Sequence, residues 1–306
     1  MGVRSDPHCG RGRPRRSDGE KIGRLGPSDP RAPAGLGRAV TSAACLPVSV
    51  IVPCHDAEAT VERALESIAN QTQPPAQAIV VNDASTDGTA SLLRRCEEKP
   101  WPFAFTVITL PINSGPGEAR NAGWSSINPA TVYVAFLDAD DIWLPRKLER
   151  QIEWMEKHSD VAWTAHRCSI LCSEQMRTPD DASPPMVTAI TRRRLLARNS
   201  VATPTVVARA SVCSRFRGGW RHCEDLMLWL DWLDEGARGA MLDLPLASLG
   251  RVPGTAGGST GDLAAMYRGE QRVLSTLATE GRISGVEAAA WRGYAWLRYQ
   301  RRRLCA

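Results

Sequence analysis

Three carboxylates, Asp138, Asp140 and Asp141, follow directly on the apolar run Val132–Leu137. Two carboxylates one residue apart can share a hard cation such as Mg²⁺ or Mn²⁺ through oxygen. Like charges packed at a strand end are costly unless a cation or solvent intervenes. An exposed acidic loop is the plainer alternative, and the position immediately behind a buried strand favours metal. Asp83 closes a second apolar run, Ala78–Val81, and is followed by Ala84-Ser85-Thr86-Asp87-Gly88. It can cap the next helix, or it can accept a hydrogen bond from the imide N–H of a nucleotide base. Capping accounts for one of Asp83 and Asp87, not both. Glu224-Asp225 opens an amphipathic stretch built on Leu226, Trp229, Leu230 and Leu233. Acids in a first helical turn are favoured by the helix dipole. Equally, an Asp there can take a proton from an attacking hydroxyl, and the residues themselves leave the two readings even.

These acids need a scaffold, and the pattern around them supplies one. Val48–Val52 is a short β-branched run; Val61, Ala64, Leu65 and Ile68 fall at helical spacing; Ala78–Val81 reads as a strand; Leu92, Leu93 and Cys96 form a helical stripe. Phe105–Leu110 reads as a third strand, 118–126 as a helix behind the Gly115-Pro116-Gly117 turn, and Val132–Leu137 as a fourth strand before the helix marked by Leu148, Ile152 and Met155. Strands alternating with helices, the strands nearly continuous in apolar residues, predict a mainly parallel sheet covered on both faces. Asp56, Asp83 and Asp138–Asp141 all follow strands, so they are expected to gather along one sheet edge. Beyond residue 166 the pattern loosens. It predicts a loop at 179–185, a short helix at 192–197, a strand at 204–208, a flexible glycine loop at 254–261 and helix over 262–304 interrupted at Gly281 and Gly285.

Composition narrows the class. The 306 residues carry a formal net charge of +5, with eight arginines among residues 1–44 and a run at Arg301-Arg302-Arg303. Such runs can meet nucleic acid or anionic lipid. A solvated tail is the preferred reading of 1–44, which are Gly-, Pro- and Arg-rich, and no nucleic-acid partner is expected. The nine cysteines include no C-x-x-C pair, which argues against a disulfide framework and for a reducing cytoplasm. His166, Cys168 and Cys172 lack an evident fourth ligand for zinc. No run of 18 apolar residues and no secretory h-region is present, so any membrane contact is expected to be peripheral. Ten tryptophans are many; an indole can stack on a pyranose ring, but most are expected in the core.

Taken in order, these motifs resemble the family 2 glycosyltransferases, inverting enzymes of GT-A fold, across roughly residues 47–235. Val48-Ser49-Val50-Ile51-Val52-Pro53 is similar to the family's opening strand, and Val61 to Gln73 to its first helix. Val80-Val81-Asn82-Asp83-Ala84-Ser85-Thr86-Asp87-Gly88-Thr89 resembles its second-strand signature, and Asn113-Ser114-Gly115 with Ala119-Arg120-Asn121-Ala122-Gly123 its third. Phe136-Leu137-Asp138-Ala139-Asp140-Asp141-Ile142-Trp143-Leu144-Pro145, with Lys147-Leu148, resembles its metal motif. Glu224-Asp225-Leu226 with Leu228-Trp229-Leu230 resembles its base-bearing helix.

The resemblance implies an α/β fold with a Rossmann-like nucleotide-binding half and a helical C-terminal segment. It divides the chain into a disordered extension (1–44), a glycosyltransferase domain (45–261) and a helical segment (262–306). It implies that Asp83 binds the nucleotide base in a pocket lined by the Pro53 backbone, and that Asp138 lies near ribose and metal. Asp140 ligates a divalent cation at the diphosphate, Arg120 helps hold the nucleotide, Arg251 reaches the diphosphate, and Asp225 is the catalytic base. With such an activity, Trp220 or Trp143 is expected to form part of the acceptor wall. It also implies a nucleotide-sugar donor, with a UDP-sugar favoured, and a saccharide or lipid-linked saccharide acceptor handled in the cytoplasm or at the inner face of the membrane.

Five positions depart from the family pattern. His55-Asp56 stand where Tyr-Asn is frequent, Asn82 replaces Asp, Ala84 replaces Gly, and Arg251-Val252-Pro253-Gly254 lacks the His of an Arg-x-His loop. A haloacid-dehalogenase reading of Asp138-Ala139-Asp140-Asp141-Ile142 fails on Ile142 and on the two strand–helix units that precede it. A sugar nucleotidyltransferase would need a Gly-rich, Arg-containing loop where Pro53-Cys54-His55-Asp56 stands. A catalytically inactive nucleotide-sugar binding module of the same fold is the remaining alternative.

Overall fold

The β-branched run has no polar side to turn to water. It forms β1 (Leu46–Cys54), in which Val48, Val50, Ile51 and Val52 are fully buried. The computed structural model describes residues 45–170, 185–250 and 262–305. Residues 1–44, Arg251, the glycine loop and most of the loop expected at 179–185 therefore lie outside the described residues. After β1 come α1 (Val61–Ala69), β2 (Pro75–Asp83), α2 (Thr89–Glu97), β3 (Ala104–Leu110), α3 (Pro116–Trp124) and β4 (Tyr133–Phe136). These four strands lie in the order β3-β2-β1-β4, all parallel. Their carboxyl ends share one edge, which sets Asp56, Asp83 and Asp138 side by side as the strand pattern requires.

The second half is β5 (Ile142–Trp143), α4 (Lys147–Lys157), β6 (Trp163–Ile170), β7 (Val187–Ile190), α5 (Arg192–Ala197), a 3₁₀ turn at Thr203–Thr205, β8 (Val207–Arg209), α6 (Glu224–Asp234), β9 (Gly239–Leu249), α7 (Leu263–Thr279) and α8 (Gly285–Cys305). β8 pairs antiparallel with both β4 and β6, β9 runs parallel to β6, and β5 and β7 are antiparallel to β9. The sheet is thus parallel where the acids converge and mixed beyond. The strand expected at 204–208 starts only at Val207, because Pro204, without an N–H to give a ladder, sits in the 3₁₀ turn. β6 and β9 escape a period-2 reading for a related reason. Their ladder slips at His166–Arg167 and at Arg167–Cys168, and Pro245 and Asp243 interrupt the apolar run of β9.

Two apolar cores sandwich the sheet. One joins Val50, Val52, Leu65, Leu93, Leu148 and Met155; the other joins Ile51, Phe136, Trp163, Trp229, Trp232 and Val273. Trp124, Trp143, Trp163, Trp220, Trp229 and Trp232 are all buried, so tryptophan here is largely core material. Trp163 stacks on Trp229 with ring centroids 5.4 Å apart.

The seating of α3 matters most to the site, because α3 carries Arg120. Gly123 lets the helix approach β1 and β2 closely: a Cβ there would lie 2.6 Å from Ile51 Cγ2 and 3.2 Å from Val81 Cγ2. Both neighbours are stiff β-branched side chains in filled core. Gly123→Ala is therefore expected to destabilise the protein by about 1–3 kcal/mol despite its better helix propensity. Urea unfolding checks this, and a variant as stable as the wild type would mean that α3 is not seated by this contact.

Candidate active site

The loops behind β1 and β2 hold each other through backbone N–H groups. Asp56 Oδ1 accepts from Thr86 N at 2.7 Å, and that bonding holds the Asp56 carboxyl below the usual carboxylate range. His55 Nδ1 lies 2.8 Å from the Asp83 carbonyl oxygen. Asp87 Oδ1 accepts from Thr89 N, the first N–H of α2, at 3.0 Å, while Gly88 takes the N-cap position. Asp83 does something else. It is 3% exposed, and its two oxygens accept from Ser114 N and Gly115 N, each at 2.7 Å. It thereby fixes the turn that launches α3, where Gly115 has φ 92° and Pro116 takes the first helical position. A carboxylate has roughly four acceptor sites, so Asp83 keeps capacity for a further donor. Pro53, half-buried at the end of β1, pairs in register with Val81 beside it.

Arg120 is the centre of the site. It is 4% exposed and lies over the Phe216 ring at 5.2 Å. Its Nη2 donates to Asp138 Oδ1 at 2.6 Å and its Nη1 to Glu224 Oε1 at 3.2 Å. Burial works against the guanidinium charge, and Asp138 and then Glu224 outweigh it, holding the group charged. Arg120 therefore joins the end of β4 to the head of α6.

The acidic turn after β4 folds on itself, with Asp141 N donating to the Asp138 carbonyl at 3.0 Å. The Asp140 backbone lies against Gly250, where any Cβ would collide with the Asp140 carbonyl oxygen. Gly250 N donates to Asp141 Oδ1 at 2.8 Å. Asp141 is buried, and burial followed by the Asp138 charge pushes its carboxyl up to about 8. Lys147 does not offset this charge. Its amine is fully buried without a hydrogen-bond partner, 3.7 Å from the centre of the Trp143 ring, and burial drives its pKa well below the ordinary value. Attraction to the indole is worth about 2 kcal/mol. Desolvating the ammonium costs several, so the neutral amine wins.

The turn is a hard, all-oxygen donor set, which fits a divalent cation. No cluster of three or more His, Cys, Asp or Glu able to hold a metal by itself occurs among the described residues. Mg²⁺-type ions are ordinarily held by one or two carboxylates and completed by substrate phosphates, and that is the arrangement these residues fit.

Asp225 stands half-buried in the first turn of α6, just after Cys223, whose φ is 59°. Asn199 Nδ2 donates to Asp225 Oδ2 at 3.1 Å. Burial, and then the neighbouring Glu224 charge, raise the Asp225 carboxyl to about 7. Such a group is ionised near neutrality and still basic enough to accept a proton.

Asp83, Arg120, Asp138, Asp140 and Asp225 are thus placed about one sheet edge, and Pro53 stands near the end of β1 beside Val81; Arg251 lies outside the described residues. Trp143 and Trp220, read from sequence as an acceptor wall, are 2% and 5% exposed. Trp143 Nε1 donates to the Pro204 carbonyl in the core, and Trp220 lies beneath Arg272, so neither presents a face to a sugar. Sequence reading missed Glu224 as a partner of Arg120, Asn199 as a partner of Asp225, and Gly250; none carries a local signal. A separate groove lined by Trp154, Lys157, Val187 and Arg238 opens at the amino-terminal strand ends, away from these acids.

Comparison with known proteins accords with this geometry. The model of the Glycosyl transferase family 2 matches residues 49–215. A Bacillus subtilis (strain 168) glycosyltransferase named for teichuronic acid biosynthesis, TuaG, is 39% identical over 112 residues, covering 37% of this chain and 43% of that protein. The Escherichia coli UDP-Glc:alpha-D-GlcNAc-diphosphoundecaprenol beta-1,3-glucosyltransferase WfgD is 29% identical over 191 residues, 61% of this chain and 70% of that one. The chain spans less than half the length of several relatives it matches, down to 26% of an uncharacterized glycosyltransferase of Rickettsia bellii (strain RML369-C). In fold it is similar to residues 1–349 of S. aureus TarS, solved with UDP-GlcNAc, at TM-score 0.59 and 18% identity, covering 80% of this chain and 70% of that one. It is also similar to the mannosyltransferase PcManGT of Pyrobaculum calidifontis, solved with GDP-Man and Mn²⁺, at TM-score 0.57 and 19% identity, covering 84% and 74%.

The placement of Asp83 has a consequence that needs no nucleotide to observe. Asp83→Asn leaves one oxygen for two backbone donors and turns an amide NH₂ toward a buried N–H. Equilibrium denaturation of the unliganded protein is expected to show a loss of about 1–3 kcal/mol. Unchanged stability would mean that Asp83 does not pin the turn.

Proposed function

The chain belongs to glycosyl transferase family 2, and from that premise we propose that it moves a hexose from a nucleoside-diphosphate sugar to an acceptor hydroxyl with inversion at the anomeric carbon. The observation that carries this reading is the pairing of Asp225, half-buried with a carboxyl near 7, with the acidic turn at Asp138–Asp141, the two tied through Glu224 and Arg120.

In this reading Asp83 uses its spare acceptor capacity on the base imide N–H, at a pocket floored by Pro53. Asp138 faces the ribose, and Arg120 holds Asp138 in place. Arg251, in the segment after Gly250, reaches the diphosphate. A divalent cation held by Asp140, with Asp138 beside it, would neutralise charge on the departing nucleoside diphosphate. Asp225 accepts the proton of the acceptor hydroxyl as its oxygen attacks, and Asn199 holds that carboxylate in orientation. One displacement inverts configuration, since no second nucleophile takes part.

A UDP-sugar is the favoured donor, supported by WfgD, named for a UDP-Glc donor, and by TarS, solved with UDP-GlcNAc. A lipid-linked saccharide at the inner membrane face is the favoured acceptor class, supported by the diphosphoundecaprenol-linked acceptor in the name of WfgD. The context is polysaccharide or glycoconjugate synthesis.

Two experiments test the roles. Asp225→Asn is expected to lower kcat by about 10²–10⁴-fold with nucleotide affinity retained. The base must be ionised to act, so wild-type kcat/KM is expected to rise about tenfold per pH unit below pH about 7 and to level above it. A flat profile, or an active Asp225→Asn, would remove Asp225 as the base. Calorimetry of UDP with and without Mn²⁺ is expected to show cation-dependent binding that Asp140→Ala abolishes. Wild-type protein that bound none of UDP, GDP and dTDP would instead be a module without turnover.

A further inference from the structure

α8 turns a large apolar surface outward. Val286, Gly293, Leu297 and Leu304 are spaced by seven, four and seven residues and fall on one line of the helix. Val286 is 82% exposed, Leu297 60% and Leu304 88%, with Trp296 (49%) and Tyr294 (44%) on the two flanks. The opposite line is the packed one. Ala288 and Ala295 are buried, Tyr299 stacks on Tyr267 at 4.7 Å, and Arg298 pairs with Glu270 at 2.6 Å. The helix is therefore well seated in the fold, and its bare face is not the result of loose docking. Exposed leucines of this size, aligned and rimmed by aromatics, mark an interaction surface.

Charge identifies the occupant. α8 carries five arginines against one acid, Glu287, and Arg301, Arg302 and Arg303 stand exposed beside Leu304. A second copy meeting this face would bring another arginine run against it, with a single acid to answer. An apolar line flanked by Trp, Tyr and Arg instead matches a bilayer interface: indole and phenol rings sit at headgroup depth, leucines enter the acyl boundary, and guanidiniums pair with lipid phosphates. No helix of the described residues is long and apolar enough to cross a membrane. We propose that the outer face of α8 docks on the surface of an anionic phospholipid bilayer, with Trp296, Leu297 and Leu304 inserted and Arg301 and Arg303, on the two flanks, at the headgroups.

This inference stands apart from the transferase reading, since it uses none of the acids. It has a bearing on them nonetheless. Arg298 reaches from the inner side of α8 to donate to the Ala197 carbonyl at 2.6 Å, and Asn199, two residues on, holds Asp225. Ala295 and Arg298 line one small cavity together with Asn199 and Leu226. Docking on α8 sets the segment that orients Asp225 about 10 Å, one helix diameter, behind the lipid surface.

Flotation of the full chain with phosphatidylcholine vesicles, with and without phosphatidylglycerol, tests the proposal. The expected result is association with the phosphatidylglycerol vesicles that weakens with salt. Removing charge as Arg301→Gln with Arg303→Gln is expected to weaken it by about fivefold per arginine. Trp296→Ser with Leu297→Ser is expected to weaken it by at least about tenfold. All four positions are at the surface, and an unchanged thermal unfolding midpoint confirms that each variant is folded. No association with phosphatidylglycerol vesicles would overturn the proposal, as would association that both variants leave intact. A wild-type dimer in solution that Trp296→Ser with Leu297→Ser splits would assign the face to a second copy and overturn it equally.

Discussion

A buried guanidinium must be answered, and the site is arranged around the answer to Arg120. Desolvating an isolated ion costs several kcal/mol, and only well-placed opposite charges offset that. Arg120 has two such partners, Asp138 at the end of β4 and Glu224 at the head of α6, the second 104 residues away in the chain. A planar fork can donate to both at once, where an ammonium is a point charge. The parallel half of the sheet and the later, mixed half are thus joined by one side chain. The elements that aim that side chain follow from it: the Asp83 carboxylate pins the turn before α3, Pro116 starts the helix, and Gly123 lets it lie close on β1 and β2.

Backbone strain is distributed around the same place. Asp56, Ala84 and Cys223 are the described non-glycine residues in the left-handed region. Each stands at the mouth of a strand or the head of a helix that carries a site acid. Holding an L-residue there costs about 1–2 kcal/mol, and it persists where surrounding bonds over-determine the conformation. At Asp56 those bonds are visible: its carboxylate is fixed by Thr86 while Ser85 Oγ accepts its N–H at 3.1 Å. Ala84 stands where the family frequently has Gly, so the turn after Asp83 keeps a shape that glycine adopts more readily.

Much of this was legible in the sequence because it is local. The runs at Val48–Val52, Ala78–Val81 and, within Val132–Leu137, Tyr133–Leu137 are buried on both faces, and continuous apolar character shows that directly. Strand order then follows from alternation with helices, and the convergence of Asp83 and Asp138 from strand order. The hidden features are those whose cause is distant in the chain. Nothing near Glu224 says that it meets Arg120 rather than water, and nothing near Asn199 says that it meets Asp225. Gly250 looks like any strand-ending glycine until the Asp140 backbone is seen against it. β6, β7 and β9 were obscured differently, by register slips, by Pro245, and in β7 by three exposed residues out of four. Trp143 and Trp220 misled because an indole serves a core as readily as a sugar, and burial alone decides which.

Glu224 and Asp225 are neighbours on one helix turn, so their side chains diverge by about 100°, one toward Arg120 and the other toward Asn199. The two ends of the site are therefore not modular. Any drift of α6 that moved Asp225 would drag Glu224 with it, loosen Arg120 and disturb Asp138. A shift of the segment at Asn199 instead acts on Asp225 through one side-chain bond and leaves the Glu224–Arg120–Asp138 linkage in place. The helix therefore transmits displacement across the whole site, while the segment after α5 acts on one carboxylate.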